Sequence, residues 1–470
     1  MSLTRLWLVL AVALPVLASV LAPMSTVDLT YHLRAGGEIL NTGAIPTVDT
    51  WTFTAAGQPW FDQQWGAQVV LGIAERLGSW TGLVLLRALL TGVIFACLLT
   101  IARRRGLDAR TAALLVLGAF LVAAPAMALR PQLLGMACFA VVLLLVVDRR
   151  AHPRRLWIVP LVVAVWANLH GSFFLGPLVV GLAWLEDVHD RVPSPYFTLV
   201  VAVVSALAAC LTPFGPWVWA YAAGLSANPE VTARISEWQP TSVRDVSGLL
   251  FFASVAFVAV LVARRGRDTP WPTLAWLAVF FLIGIYAQRG IAWWPLAAVA
   301  AIAGTLIPAA RSEPVDPPTT RRLNAVVVGA LVVAGVALLP VWRPIDPGTR
   351  TPAGVLTEAP SGITSALRDI ARSGDRVFNP QPWGSWFEYA LPDLTYAIDS
   401  RIEFFPPSVW DGYEAVTSGV DGWETRLSEW DVQWVVAEAS QAGFIARLQA
   451  AGWRLTARGD DGTVLGRAGP

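Results

Sequence analysis

The chain contains no lysine, few charged residues and only three cysteines. Of its 470 residues, 14% are charged, and the formal net charge is +1. This near-neutral balance, with no basic stripe, excludes a nucleic-acid partner. The cysteines Cys97, Cys138 and Cys210 all lie in apolar stretches, which argues against a disulfide framework. The chain also lacks an internal repeat, a phosphate-binding glycine loop and the ligand spacing of a zinc site.

Apolar residues are what the sequence has in abundance: 55% of the chain is hydrophobic and the mean hydropathy is +0.56. Such values are typical of polytopic membrane proteins. Nine stretches approach the length of a membrane span, namely 5–22, 81–101, 111–128, 131–147, 196–212, 248–263, 271–287, 291–308 and 323–341. The first of them also resembles a secretory signal, but the spans that follow favour an uncleaved first helix.

Arginine clusters set the expected topology. They lie at 103–105, 149–155, 264–267 and 311–322, and the positive-inside rule places all four in the cytoplasm. The chain must therefore cross the membrane an even number of times between the second and third clusters. Stretches 196–212 and 248–263 supply two of these crossings, so the remaining apolar stretch, 156–185, must supply two more or none. Its centre carries Asn168, His170 and Gly171, so we predict two short helices that meet at a polar tip.

The nine stretches and these two helices predict an α-helical polytopic membrane protein with about eleven spans, whose transmembrane module covers 1–341. Its N-terminus is expected in the cytoplasm. The first outer loop, 23–80, carries two amphipathic stretches, 28–40 and 62–78, which are expected to lie along the membrane surface. From 342 to 470 the composition is that of a soluble protein. Helical patterns near 361–373 and 441–450 alternate there with strand-like segments, which predicts a small extracytoplasmic α/β domain.

Several motifs occur in an order that resembles a known superfamily. They are DLTYHLRAGGEILNTGAIPTVDTWTFTAAGQPW, RPQLLG, WANLHGSFFLG, LTPFG, ISEWQP and WGSWFEYALP followed by IDSR. Over nearly its full length the chain resembles bacterial GT-C membrane glycosyltransferases, whose relatives include protein O-mannosyltransferases and aminoarabinose transferases. The resemblance implies residence in the bacterial cytoplasmic membrane, with the C-terminal domain and the active site outside.

The resemblance also implies an activity: inverting transfer of a sugar from a polyprenyl-phosphate donor to a lipid, glycan or protein acceptor. The expected base is an acidic residue just after the first span, which is Asp28 here. An N-cap of the following helix is the competing interpretation of Asp28. Related sequences often carry acids where this chain has Thr26 and Gln64, and both departures weaken a metal-binding interpretation. We therefore expect no cofactor; a divalent metal is an open alternative that the sequence does not support.

Seven other polar residues are candidates for substrate binding. Arg130 and Arg289 lie at outer span ends, where a guanidinium group suits a lipid-linked phosphate; snorkelling into headgroups is the alternative. The other five candidates are His32, Asp49, Asn168, His170 and Glu237. For each of them the alternative is a structural role in a turn, a buried hydrogen bond or an ion pair.

Two rival functions stay open at this stage. A non-catalytic protein with the same architecture, which binds or presents a lipid-linked glycan, agrees with the two departures at Thr26 and Gln64. A transporter is disfavoured because no charged residue stands out in mid-span and no repeat is present.

In the C-terminal region, Asp399 and Arg401 could line an acceptor groove or form a local ion pair.

Overall fold

The computed structural model describes residues 1–306 and 317–467. Residues 307–316, which include Arg311 of the fourth arginine cluster, lie outside the described part. The chain forms two compact units that alternate along the sequence. We call residues 1–22 and 84–339 the helical unit, and residues 23–83 with the chain from 340 onward the composite unit. The first loop, which the sequence assigned to the transmembrane module, thus folds with the C-terminal region.

The helical unit contains apolar helices separated by short turns. Helix α3 spans Trp65–Arg104, and its part from residue 84 onward belongs to this unit. The other helices of the unit, in chain order, are α1 (Leu3–Leu21), α4 (Ala109–Ala123), α5 (Pro131–Asp148), α6 (Ile158–Trp166), α7 (Leu175–His189), α8 (Tyr196–Ala208), α9 (Trp217–Ala227), α10 (Pro229–Arg234), α11 (Val246–Arg265), α12 (Trp271–Tyr286), α13 (Trp293–Ile302) and α14 (Pro318–Ala337). Their core includes a cluster of aromatic rings from α5, α6, α12 and α13: Phe139, Trp166, Phe280 and Trp293.

Within the described residues, seven helical segments are long and apolar enough to cross a membrane: Leu3–Leu21, Trp65–Arg104, Ala109–Met127, Pro131–Asp148, Gly171–His189, Val246–Asp268 and Pro318–Ala337. The apolar helices α8 and α12 are shorter. The polytopic helical architecture is therefore confirmed, while the count of eleven spans stays a prediction.

The stretch 156–185 is interrupted where its polar residues lie. Helix α6 ends at Trp166, a 3-10 turn covers Gly171–Phe174, and α7 begins at Leu175. Helix α8 packs against both α6 and α7. The predicted break between two helices is confirmed, because residues 167–170 belong to neither of them.

The composite unit combines helices from the first loop with a small α/β fold. Its helices are α2 (Thr26–Thr42), the first part of α3, α15 (Ser361–Ile370), α16 (Gln381–Ala390), α17 (Pro407–Ser418), α18 (Trp423–Glu429) and α19 (Ala442–Ala450). Its strands are β1 (Met24–Ser25), β2 (Leu356–Thr357), β3 (Arg376–Phe378), β4 (Thr395–Tyr396), β5 (Trp434–Glu438), β6 (Arg454–Arg458) and β7 (Gly462–Gly466).

Five strands form one sheet in the order β4-β3-β5-β7-β6, and β1 pairs separately with β2 in a parallel arrangement. Strand β3 runs parallel to β4 and β5, while β7 is antiparallel to β5 and β6. The core on this sheet contains Phe378, Val435 and Leu465, all buried. The strand-like segments of the sequence are RVF, TYAI, VQWVVA and WRLTAR, and they contain β3, β4 and β6 and most of β5; the segment TVLGR, expected to form a final hairpin, contains most of β7.

Helix α2 is buried on more sides than an amphipathic helix on a membrane surface would be, because it packs against α16. A glycine allows α3 to approach it closely. A Cβ atom on Gly36 would lie 2.1 Å from the carbonyl oxygen of Gln68. Helix α3 itself changes direction at Ser79, whose φ of 50° and ψ of −143° are not helical. The surface helix predicted at 62–78 is therefore the part of α3 that precedes this kink.

Candidate functional site

Two arginines and one carboxylate meet in the helical unit. Arg130 directly precedes α5, and its Nη2 lies 2.9 Å from Oε1 of Glu237. The guanidinium carbon of Arg289 lies 4.6 Å from the ring centre of Trp238, the residue after Glu237. Burial opposes the charged form of Glu237, but the positive charges of Arg130 and Arg289 outweigh burial and lower its pKa. The carboxylate of Glu237 thus interacts with both guanidinium groups.

Backbone hydrogen bonds fix the turns that carry these side chains. The N–H of Gln288 donates to the carbonyl of Gln239 over 3.0 Å, which joins the turn Gln288–Ala292 to the turn Ser236–Trp238. The side-chain amide of Gln132 donates to the carbonyl of Arg289 over 3.3 Å. Three segments far apart in sequence are thereby held together, and the candidate residues Arg130, Glu237 and Arg289 form one cluster.

His170 is held in one tautomer at the tip between α6 and α7. Its Nδ1 accepts the backbone N–H of Ser172 over 3.2 Å and lies 2.7 Å from Ser172 Oγ, which also accepts the indole N–H of Trp166. A nitrogen that accepts an N–H carries no proton, so the neutral ring is protonated at Nε2. Gly135 of α5 makes room for this network, because a Cβ there would lie 2.8 Å from Trp166 Nε1.

Asn168, on the same tip, has a structural role. Its side-chain amide donates to the carbonyl oxygens of Ala164 and Leu211 at 2.8 and 3.0 Å. These carbonyls belong to α6 and to the residues that follow α8, where no further helical turn supplies a donor. Asn168 therefore satisfies backbone hydrogen-bond acceptors at the C-terminal ends of two helices, α6 and α8.

Asp28 is the third residue of α2 and is half-buried. The N-cap of α2 is Ser25, whose hydroxyl accepts the backbone N–H of Val27, so the N-cap interpretation of Asp28 is wrong. An acidic side chain in the first turn of a helix is stabilised by the helix dipole. Asp28 is thus an acidic residue of the first turn and not the N-cap of α2.

His32 lies one turn further along α2 and is buried in a polar network. The amide nitrogen of Gln68 is 3.4 Å from His32 Nδ1 and donates to Asp62 Oδ1 over 2.7 Å. Burial lowers the pKa of His32 to about 3, so the ring is neutral. Burial raises the pKa of Asp62 to about 7, although Gln68 and Arg401 act in the opposite direction. These contacts of His32 are those of a core histidine.

Asp49 belongs to a second buried network, centred on Arg401. Its Oδ1 lies 2.6 Å from Arg401 Nη2, and its Oδ2 accepts both the backbone N–H and the hydroxyl of Thr52. Arg401 also donates from Nε to Asp399 over 2.8 Å, and the rings of Trp51 and Trp60 lie 4.5 and 4.6 Å from its guanidinium carbon. The turn expected at Asp49 and the local ion pair expected between Asp399 and Arg401 are therefore both present. Because Arg401 and Asp399 are buried, an acceptor groove lined by them is disfavoured.

Sequence reasoning missed several buried polar residues. Arg87 lies in the later part of α3, is 1% exposed and donates from Nη2 to the carbonyl of Ala22. One arginine changes the mean hydropathy of an apolar stretch little, so hydropathy alone does not reveal Arg87. The signal in the sequence is a single arginine between apolar residues in the segment LVLLRALL. Asp62 and Glu388 were also missed. Burial, followed by the nearby carboxylate of Asp399, raises the pKa of Glu388 well above its usual range.

Across the described residues, no group of three or more His, Cys, Asp or Glu side chains has an arrangement that could hold a metal ion. The sequence matches no protein-family model and no curated protein. Its fold, however, is similar to that of several solved membrane enzymes.

Three of these neighbours cover nearly all of this chain. The oligosaccharyltransferase AglB from Archaeoglobus fulgidus has a TM-score of 0.58 and 13% identity, over 93% of this chain and 70% of its own. ArnT from Cupriavidus metallidurans has a TM-score of 0.53 and 15% identity, and all of both chains is covered. The mycobacterial arabinofuranosyltransferase AftD has a TM-score of 0.57 and 17% identity, and this chain spans 42% of its length.

All three neighbours are membrane glycosyltransferases of the GT-C superfamily. The chain therefore has the GT-C fold, as its sequence motifs predict. At identities of 13–17%, the likeness shows the fold alone.

Proposed function

We propose that the protein is an integral-membrane glycosyltransferase that moves a sugar from a polyprenyl-phosphate donor to an extracytoplasmic acceptor. The observation that carries the proposal is the GT-C fold along 93% or more of the chain. The AglB neighbour was solved with a dolichol-phosphate and an inhibitory peptide, and we extend a lipid-phosphate donor of this kind to the present chain. The proposed setting is the bacterial cytoplasmic membrane.

The proposed reaction is a single displacement. The acceptor hydroxyl oxygen attacks the anomeric carbon from the face opposite the phosphate, and its proton passes to the carboxylate of Asp28. The bond between the anomeric carbon and the phosphate oxygen breaks, and polyprenyl phosphate leaves with one additional negative charge. Attack from the opposite face inverts the anomeric configuration. No metal or cofactor takes part, so chelation with EDTA should leave the rate unchanged.

The cluster of Arg130, Arg289 and Glu237 is the proposed site for the phosphate. Charge-assisted hydrogen bonds from guanidinium groups stabilise the charge that develops on a leaving phosphate. Glu237 pairs with Arg130 before the donor binds, and the phosphate would compete with it for that arginine. His170, protonated at Nε2, can donate one further hydrogen bond.

The test is a transfer assay with purified protein, a panel of labelled polyprenyl-phosphate pentoses and hexoses, and envelope acceptors. Asp28→Asn should bind the donor but lower transfer by about a hundred- to ten-thousand-fold, because an amide cannot accept the proton. Glu38→Gln is the matched control, since it removes a carboxylate from the same helix. Equal transfer by the wild type and Asp28→Asn would remove Asp28 from the chemistry.

The binding protein remains a second candidate because of Thr26. This residue is fully buried, and its hydroxyl donates to the carbonyl of Glu358 over 3.2 Å. A structural hydroxyl thus occupies a position where related sequences often carry an acid. Wild-type protein that binds polyprenyl-phosphate sugars but transfers none of them, over the whole panel, would favour this second function.

A further inference from the structure

The first turn of α2, which carries Asp28, is fastened to the C-terminal part of the composite unit. Strand β1, directly before α2, pairs with β2. The hydroxyl of Ser25 donates to Oε2 of Glu358 over 2.6 Å. These contacts hold the entry to the helix, where fraying is otherwise usual.

A second contact reaches the residue next to Asp28. The hydroxyl of Ser400 donates to the backbone carbonyl of Val27. Ser400 Oγ also lies 2.6 Å from Ser385 Oγ, and the Ser400 N–H donates to Ser385 Oγ over 3.2 Å. Because the Ser400 proton points to Val27, the proton between the two hydroxyls must come from Ser385. The two serines therefore form a directed chain that ends at the carbonyl preceding Asp28.

Ser400 is itself held rigidly. Its neighbours Asp399 and Arg401 form a buried ion pair, and the backbone N–H of Arg401 donates to Asp399 Oδ1 over 2.6 Å. Arg401 also binds Asp49. Ser385 is fully buried and Ser400 is 9% exposed. Side chains locked in this way can fix the position of a group that they contact.

We propose that Ser400 is a positioning residue for the general base: its hydroxyl fixes the first turn of α2 and so places the carboxylate of Asp28. The inference rests on the proposed function. A base must lie within hydrogen-bond reach of the acceptor hydroxyl, and a displacement of about 1 Å can cost on the order of a hundred-fold in rate. In this proposal Ser400 acts on Asp28 through α2 and not on the substrate, so its loss should lower the rate of transfer rather than substrate affinity.

The experiment compares Ser400→Ala with Ser400→Thr and with a matched control. Thr364→Val is the control, because Thr364 is also buried in the composite unit and donates its hydroxyl to the carbonyl of Pro360 at the start of α15. The Thr364 hydroxyl also accepts the indole N–H of Trp386 over 2.8 Å, so this control, too, removes a hydroxyl that both donates and accepts a buried hydrogen bond. Ser400→Ala should lower kcat by about ten- to a hundred-fold with KM nearly unchanged. Ser400→Thr should recover most of the rate, since it keeps the hydroxyl.

Hydrogen exchange provides a readout that is independent of turnover. Amides in the peptide 23–33 should exchange faster in Ser400→Ala than in the wild type, while Thr364→Val should leave them unchanged. Equal losses of kcat in Ser400→Ala and Thr364→Val, or wild-type kcat and exchange in Ser400→Ala, would overturn the inference.

The same assay separates this inference from the proposed function. If Asp28→Asn abolishes transfer and Ser400→Ala does not lower it, only the positioning role fails. If Asp28→Asn transfers as well as the wild type, the base assignment fails, and the positioning role fails with it.

Discussion

Asp62 and His32 should give the free energy of unfolding opposite dependences on pH. Asp62 has a pKa of about 7 in the folded protein, against about 3.9 in an unfolded chain. Between these values the folded state holds one more proton, so raising the pH lowers the free energy of unfolding by about 1.4 kcal/mol per pH unit. His32 has a folded pKa of about 3, against about 6.5 when unfolded. The unfolded state then holds the additional proton, so raising the pH stabilises the fold by a similar amount per unit.

In the wild type, the two contributions should nearly cancel from about pH 4 to about pH 6.5. Asp62→Asn removes the fall of the unfolding free energy with pH that Asp62 causes, and it leaves the rise with pH that His32 causes. Relative to the wild type, its free energy of unfolding should therefore rise by roughly 3 kcal/mol between about pH 4.5 and about pH 6.5. His32→Gln should change in the opposite direction, and the double variant should follow the wild type.

Equilibrium unfolding in mixed detergent micelles across this pH range provides the measurement. Asp369→Asn is the matched control, because Asp369 is an exposed carboxyl of the composite unit, and it should parallel the wild type. A parallel curve for Asp62→Asn as well would refute the reasoning, since it would mean that Asp62 is already ionised in the folded protein throughout the range.

Three further predictions concern packing, the buried ion pair and topology. Gly36→Ala should unfold the protein at lower denaturant concentration than the wild type, because its Cβ would collide with the carbonyl of Gln68; Gly37→Ala, with nothing within 4 Å, should stabilise the helix by about 0.5–1 kcal/mol. Arg401→Gln should lower the free energy of unfolding by about 3–5 kcal/mol in the same measurement, since it leaves buried carboxylates without their cation. In a background without the native cysteines, His170→Cys should react with an impermeant thiol reagent from outside and Arg104→Cys should not; the reverse pattern would contradict the topology.

Local patterns explain what the sequence could predict. The break at 167–170 follows from three polar or flexible residues within an apolar stretch. The five-stranded sheet follows from short β-branched and aromatic runs. An ion pair is one of the roles that the sequence offers for Glu237, and Arg130 is its partner in the structure.

Long-range pairing explains what the sequence could not predict. Arg401 and Asp49 are 352 positions apart, and neither segment indicates the other. The same holds for Ser400 and Val27, which are 373 positions apart. A carboxyl in the segment FDQQW is expected to be exposed, so the burial of Asp62 beside Gln68 could not be predicted either.

The alternating order of the two units has a consequence for synthesis on the ribosome. Residues 23–83 emerge early, yet the segments that complete their core begin only at residue 340. At typical rates of translation, of about 5–20 residues per second, this segment waits roughly ten seconds to a minute before its partners exist. Throughout that interval Asp49 has no Arg401 and α2 has no α16. A nascent chain that stalls before residue 340 therefore presents an unfinished core, which makes it a substrate for chaperones and proteases on the side of the membrane to which the loop is delivered.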